Sequence, residues 1–228
     1  LTIDPTADTY TFNLLSEIPT KTVTFDATLT ATDFKAGSKV GSVIGDYLPT
    51  DGTTTTSVII TIRGDSNGDG DFLDPNDTVN PSNELGVTNN VIEGAEVMHI
   101  DSDTALDQLD VSIGKISSSD TVHWVATYES GSLNGNISGD TNSQGTKVLS
   151  LTTDATTQPG YNSAMGDLLS VTIENTVGNG VKIDSVGIKT TVESTTVDPL
   201  QLAFDVAVKD ADGDVVTMDD AIIVNIGD

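Results

Sequence analysis

The densest group of side chains that could do chemistry lies in residues 65–77, D-S-N-G-D-G-D-F-L-D-P-N-D. This stretch contains five aspartates and no lysine, arginine or histidine. Two carboxylates about 4 Å apart repel each other by roughly 1 kcal/mol in water, and by more near a protein surface. A folded loop of this composition therefore needs a cation, and alternating oxygen side chains followed by a glycine are typical of loops that wrap around calcium.

The spacing within this stretch matches the first half of an EF-hand calcium loop. Asp65, Asn67 and Asp69 occupy alternate positions, and Gly70 then permits the sharp turn that such a loop makes. The twelfth position carries Asn76 instead of the usual glutamate, so we predict a calcium loop of related type, closed by Asp74 or Asp77. The alternative is a solvated acidic turn. The predicted ligands are Asp65, Asn67, Asp69, Asp71 (through its carbonyl), Asp74 and Asp77.

Two further segments carry oxygen ligands at spacings that suit calcium. In D-A-D-G-D, residues 210–214, alternating carboxylates flank a glycine, and the alternative is a plain acidic turn. The segment 89–103 mixes amide and carboxylate oxygens, and the alternative is a hydrogen-bonded loop. The predicted ligands are Asp210, Asp212, Asp214 and Asp219 in the first segment, and Asn90, Glu93, Glu96, Asp101 and Asp103 in the second.

Candidates for binding an organic ligand lie in two polar, turn-rich segments. Tyr161 follows Q-P-G and is placed either to support a ligand or to anchor its own loop. Residues 130–145, S-G-S-L-N-G-N-I-S-G-D-T-N-S-Q-G, are predicted to form a long polar loop, and such loops usually have a functional reason. The predicted ligand-binding residues are Tyr161, Asn134, Asn136 and Asp140.

The composition excludes several classes of function. The chain has 228 residues, with 9 Lys+Arg, 35 Asp+Glu and a formal charge of −26. A nucleic-acid partner is not expected, since no basic stripe can neutralise phosphates, and anionic membranes would repel the chain. The sequence contains no apolar run of about 18 residues, so no membrane-spanning helix is predicted. With no cysteine and 2 histidines, neither disulfides nor a structural zinc site is expected, and calcium is the cross-link available to an acidic secreted protein.

The elements that must position these side chains are rich in Thr, Val and Ile. Polar and apolar residues alternate in short stretches between Gly, Asn, Asp and Pro, as is typical of an antiparallel β-sandwich. Helical turns are predicted over 31–35 and 163–169, and a second long loop is predicted over 65–96. The predicted strands are 9–14, 21–29, 57–62, 97–100, 120–128, 146–151, 168–174, 181–191, 201–208 and 221–226.

Three segments resemble a known protein family. A-D-T-Y-T-F-N-L-L, residues 7–15, resembles the opening of a repeated immunoglobulin-like module, and V-K-D-A-D-G-D-V-V-T-M-D-D-A-I-I-V-N-I-G-D, residues 208–228, resembles its closing strand. L-G-V-T-N-N-V-I-E-G-A-E-V-M-H-I-D, residues 85–101, is similar to a segment of domains inserted between such modules, with Ala95-Glu96 in place of the usual Gly-Glu. All three segments resemble parts of the large, calcium-dependent RTX adhesins of bacteria.

The resemblance implies an all-β, calcium-stabilised antiparallel β-sandwich, inserted into or fused with an immunoglobulin-like adhesin repeat. The expected division is a split extender module at 1–20 and 198–228, with an inserted ligand-binding sandwich at 21–197. It also implies an extracellular, cell-surface protein that binds several calcium ions, contacts neighbouring adhesin modules in its chain and mediates adhesion and biofilm formation. The expected ligand is a peptide terminus held through calcium, on a host or microbial cell, with a glycan as the alternative. A monomer is expected.

The motifs do not favour an enzyme. The sequence contains no G-x-S-x-G, no H-E-x-x-H, no phosphate-binding glycine loop and no cysteine nucleophile. Its carboxylates stand at metal-ligand spacings, and aromatic residues make up only 4% of the chain, few for a cleft that stacks sugars. We expect a ligand-binding module first, a purely structural calcium-rigidified stalk module second, and a polysaccharide-active enzyme last.

Overall fold

The chain divides into two compact units in a computed structural model, which describes residues 2–4, 9–11, 22–34, 40–48, 57–81, 84–193, 200–209 and 212–226. Leu1–Thr22 and Glu193–Asp228 form one unit, and Val23–Val192 forms the other. The first unit is thus built from both ends of the chain, with the second inserted between them. The assignment of the two units as an extender module and a ligand-binding module stays a prediction. The immunoglobulin-like character of the first unit stays a prediction.

The described residues form sixteen strands and one 3-10 turn, Ser163–Met165. None of them lies in a helix that is long and apolar enough to cross a membrane. The strands are β1 (Thr2–Asp4), β2 (Thr9–Thr11), β3 (Thr22–Thr30), β4 (Ser42–Tyr47), β5 (Val58–Asp65), β6 (Val79–Asn80), β7 (Gly86–Val87), β8 (Val97–Leu106), β9 (Gln108–Ile116), β10 (Thr121–Tyr128), β11 (Gly131–Ser138), β12 (Gly145–Thr152), β13 (Leu168–Val177), β14 (Lys182–Glu193), β15 (Leu200–Lys209) and β16 (Val215–Ile226).

The first unit contains two local antiparallel pairs. β1 pairs with β2, and β15 pairs with β16 along most of their lengths. Between β15 and β16 the chain turns at Gly213. Its φ of 103° is allowed for glycine, which lacks a Cβ, and strained for other residues.

The second unit contains two larger sheets. The six-stranded sheet has the order β11-β10-β13-β8-β5-β4, and the four-stranded sheet has the order β12-β9-β14-β3. Alternation along the strands sends one face of each sheet inward; in β5, Val58, Ile60 and Ile62 are at most 1% exposed. Apolar side chains of both sheets form one core, and the Tyr47 hydroxyl on β4 donates to the Val186 carbonyl on β14 at 2.6 Å. The predicted all-β sandwich is confirmed.

The structure corrects several local predictions. Residues 130–145 are not one long loop, because Gly131–Ser138 forms β11 and pairs with β10. Glycine and asparagine within this strand mask the alternation of Leu133 and Ile137, which pack against the core. The predicted helical turn at 163–169 shortens to Ser163–Met165, and residues 31–33 form a simple turn. Strands β4 and β9 were not predicted, although Leu109, Val111 and Ile113 alternate with polar residues.

Candidate functional site

The acidic loop, residues 65–77, begins at the last residue of β5 and is organised around a buried carboxylate. Asp65 is 0% exposed. Its Oδ1 accepts from the backbone N–H groups of Asn67 (3.1 Å) and Gly68 (2.6 Å), and its Oδ2 accepts from that of Gly70 (2.8 Å). Gly68 and Gly70 adopt φ values of 74° and 87°, which turn these N–H groups toward Asp65. The loop therefore wraps around its first predicted ligand.

The rest of the loop repeats one local hydrogen bond. The side chains of Asn67, Asp69 and Asp71 each accept from the backbone N–H two residues further on, at 2.9–3.0 Å. The Nδ2 of Asn67 also donates to Oδ2 of Asp69 at 2.9 Å. These contacts hold the pKa of Asp69 below its usual range, first through the N–H of Asp71 and then through Asn67. Local hydrogen bonds thus fix the alternating side chains that the spacing predicted.

The carboxylates of the loop are close enough to act on one another. Partial burial raises the pKa of Asp74, and the charges of Asp71, Asp69, Asp77 and Asp65 raise it further, in that order. Among the residues that the structure describes, no lysine or arginine forms an ion pair with any of these five. The loop therefore concentrates negative charge that its own side chains do not neutralise.

Asp77 closes the loop and keeps one oxygen unused. Its side chain is buried, at 3% exposure, and its Oδ1 accepts from the backbone N–H (2.8 Å) and the hydroxyl (2.7 Å) of Ser66. Its Oδ2 is buried without a hydrogen-bond partner. A buried charged oxygen without a partner is expensive, which is why native proteins usually pair such atoms with a donor, water or ion. This oxygen points to a missing partner at the acidic loop.

All three buried side-chain atoms that lack a partner in the described part of the chain flank this loop. Besides Asp77 Oδ2 they are Thr88 Oγ1 and His99 Nδ1. Thr88 donates its backbone N–H to the carbonyl of Thr78, next to Asp77, at 3.1 Å. It also has a φ of 51°, a rare conformation for a β-branched residue. Three unpaired polar atoms and the strained backbone of Thr88 therefore lie next to the acidic loop.

The loop packs onto the outer face of the six-stranded sheet. The Phe72 ring lies over the His99 ring of β8, with centroids 4.9 Å apart. Burial lowers the pKa of His99, against a smaller upward effect of Asp101, whose carboxylate lies 4.0 Å away. At Gly68 an added Cβ would stand 2.5 Å from the carbonyl oxygen of Ala95. The acidic loop is thus a docked part of the sandwich. Phe72, Ser66 and Thr88 were not predicted as site residues, because only the folded chain brings them to the loop.

The predicted ligands of the segment 89–103 make contacts within their own segment and with β5. Glu96 is 9% exposed and accepts from the Glu93 N–H at 3.0 Å. Asp103 lies on β8 and accepts from the Ile59 N–H of β5 at 2.8 Å. Asn90 is exposed in the turn before Glu93, and Asp101 lies beside His99. Within the described ranges, no three Asp, Glu, His or Cys side chains are gathered closely enough to hold a metal as they stand.

The third predicted metal segment is only partly described. Asp212 and Asp214 are exposed on either side of Gly213 in the β15–β16 turn. Asp210 lies outside the described residues, and Asp219 lies in β16 with its side chain outside them. This prediction therefore stays open.

The predicted ligand-binding residues lie on β11, just after it, and in the loop before the 3-10 turn. Tyr161 is half-buried: its ring lies 5.3 Å from that of Tyr128, and its hydroxyl donates to the Gly166 carbonyl at 3.0 Å. Asn134 and Asn136 are exposed on β11, and Asn136 Oδ1 lies 3.1 Å from His123 Nδ1. Asp140 follows β11 and forms an ion pair with Lys147. These contacts give Tyr161 an anchoring role and leave the outer face of β11 open to solvent.

The raised pKa of Asp74 gives a testable pH dependence. The folded, calcium-free loop binds a proton more tightly than the unfolded chain, so Asp74 favours folding below its usual pKa, and this contribution is lost as pH rises through the raised value. In EDTA at pH 7, we therefore expect Asp74→Asn to be more stable than the wild type. The difference should vanish in acid, which urea unfolding at several pH values measures. A difference that stays constant with pH would contradict the repulsion between these carboxylates.

No protein-family model matches the sequence, and a search of curated proteins gives no match.

Proposed function

We propose that the chain is a calcium-binding β-sandwich module of an extracellular bacterial surface adhesin. The observation that carries this proposal is Asp77 Oδ2, a buried carboxylate oxygen without a partner, at the end of a loop whose five aspartates form no ion pair with a lysine or arginine among the described residues. Oxygen donors without sulfur or imidazole suit a hard cation such as calcium, which accepts carboxylate, amide and carbonyl ligands.

The donor atoms present are of the type that such an ion accepts. Asp65, Asn67, Asp69, Asp77 and the carbonyl of Asp71 would hold it, and Asp74 stands next to them. Calcium would supply positive charge to a loop that contains five aspartates, and would turn their repulsion into cross-links between β5 and the chain that leads to β6. Because calcium would bind the folded protein and not the unfolded chain, the free energy of unfolding would rise with calcium concentration. The other two acidic segments are proposed as further calcium sites.

The calcium-stabilised sandwich would then present a ligand-binding surface outside the cell. The three sequence segments that resemble RTX adhesins support an adhesive role, in which the module binds a peptide terminus on a host or microbial cell and promotes biofilm formation. A glycan is the alternative ligand. Binding, rather than catalysis, fits the location of the carboxylates, which are engaged in loop hydrogen bonds. Neighbouring adhesin modules in the same chain are the proposed structural partners.

A purely structural stalk module is the second candidate. The contacts of Tyr161 and Asp140 favour it, because each side chain is already engaged with its own surroundings. In this case calcium would only stiffen the sandwich, as expected of a spacer between adhesive domains.

A paired binding screen separates these two functions. The purified chain is applied to a library of random C-terminal peptides and to a glycan array, each with millimolar calcium and with EDTA. Calcium-dependent binding to the peptides supports the favoured ligand, and binding to the glycans supports the alternative. If both libraries stay silent while calcium raises the melting temperature, the module is structural. Binding that is equally strong in EDTA would contradict the calcium-dependent mechanism.

A further inference from the structure

The acidic loop contains a bond that is chemically reactive. Asn67 is followed by Gly68, and the sequence has two other Asn-Gly pairs, Asn134-Gly135 and Asn179-Gly180. Glycine lacks a Cβ, so its backbone nitrogen can approach the side chain of the preceding asparagine with little hindrance. Each pair is thus chemically able to deamidate, and the fold decides which does.

We infer that Asn67 is a modification site: it deamidates spontaneously when the acidic loop lacks calcium, and calcium suppresses the reaction. The backbone nitrogen of Gly68 attacks Cγ of Asn67 and forms an N–Cγ bond. The Cγ–Nδ2 bond breaks, and Nδ2 leaves as ammonia with the proton that the Gly68 amide gives up. Water then opens the resulting succinimide ring, which yields aspartate or isoaspartate at position 67.

In the closed loop, the reacting atoms are held in hydrogen bonds to two aspartates. The Gly68 N–H donates to Asp65 Oδ1 at 2.6 Å, so the attacking nitrogen is occupied. Both polar atoms of the Asn67 side-chain amide are hydrogen-bonded to Asp69. Oδ1 accepts from the Asp69 N–H at 3.0 Å, and Nδ2 donates to Asp69 Oδ2 at 2.9 Å. Attack therefore requires the loop to open.

Calcium controls that opening, and this step rests on the proposed function. Asp65 and Asp69, which hold Asn67 and Gly68, are also the proposed ligands. Without a cation, the repulsion among the five carboxylates favours open forms of this exposed segment, and exposed loops open at low free-energy cost. With a cation, both carboxylates are drawn to the same centre and the loop stays closed.

The other two pairs provide internal references, because neither contacts the acidic loop. Asn134 is held in the β10–β11 ladder opposite Val125. Asn179 lies in the β13–β14 turn, where its N–H donates to Asp120 at 2.8 Å and its carbonyl accepts from Lys115 at 3.3 Å. Calcium at the acidic loop should leave the rates at both positions unchanged.

The test is to incubate the full chain with excess calcium or with EDTA, and to follow all three Asn-Gly peptides by mass spectrometry. We expect Asn67 to react in EDTA and calcium to slow it by about tenfold or more, the factor for raising the opening free energy by about 1.4 kcal/mol. Asn134, which is held in the β10–β11 ladder, should not respond. Asp65→Ala should make the Asn67 rate insensitive to calcium. If that variant unfolds as a whole, deamidation should become faster at all three Asn-Gly pairs. This pattern distinguishes unfolding from a local effect at Asn67.

Other outcomes overturn the inference in distinguishable ways. If Asn67 does not deamidate in EDTA while Asn179 does, Asn67 is not a modification site. If the Asn67 rate is equal with calcium and EDTA although dialysis detects bound calcium that depends on Asp65, the inference fails and the proposed calcium loop survives. If the rates are equal and no calcium binds, the proposed function fails as well.

Discussion

Replacing Asp65 by alanine is expected to lower the free energy of unfolding by about 3 kcal/mol, even without calcium, and to remove one bound ion. The cause is burial: Asp65 is 0% exposed and accepts three backbone N–H groups, which lose their acceptor in the variant. Urea unfolding in EDTA measures the structural part of this effect. The same experiment in calcium measures the additional loss of the ion.

The matched control is Asp26→Ala, which removes an exposed aspartate from β3. The Asp26 side chain is exposed, and surface substitutions of this kind change stability by about 0.5 kcal/mol or less. Equal effects of the two substitutions would show that Asp65 is not the centre of the loop. A number of bound calcium ions that is unchanged in Asp65→Ala would place the ion elsewhere.

Replacing Gly86 by alanine is expected to destabilise the fold by about 3 kcal/mol or more, because the position has no room for a methyl group. Gly86 is buried on β7, and an added Cβ would lie 2.8 Å from the Asn89 carbonyl oxygen and closer still to the backbone of Asn90 and Val91. These backbone atoms belong to the turn that holds the strained Thr88 beside the acidic loop. Urea unfolding gives the loss, and a weaker calcium response should accompany it.

Gly41→Ala serves as the control for this backbone effect. Gly41 is exposed, and nothing lies within 4 Å of an added Cβ. Its substitution should change stability by about 0.5 kcal/mol or less. If Gly86→Ala is tolerated equally well, the turn over residues 86–91 is not tightly packed, and its role in supporting the loop must be abandoned.

The sandwich could be predicted because its strands follow a simple rule. In β5 and β8, apolar residues at alternate positions face the core, and period-two patterns reveal such strands directly. The same rule fails in β11, where Asn134, Gly135 and Asn136 have low strand propensity and pairing with β10 decides the conformation. Pairing with β10 therefore outweighed the low strand propensity of these residues.

The acidic loop could be located from the sequence, but its closure could not. Alternating Asp65, Asn67 and Asp69 are local features, and their hydrogen bonds stay within a few residues. The choice between Asp74 and Asp77 as the closing residue depends on burial, which only the folded chain sets. Asp77 returns to Ser66 at the start of the loop and leaves Oδ2 without a partner.

The most direct test of the central claim is a count of calcium ions. The wild type, Asp77→Asn and Asp26→Ala are dialysed to equilibrium against the same calcium solution, and bound calcium per chain is measured by atomic absorption. The account predicts that Asp77→Asn binds one ion fewer than the wild type, while Asp26→Ala binds the same number. An identical count in all three proteins, or no bound calcium in the wild type, would contradict the assignment of residues 65–77 as a calcium loop.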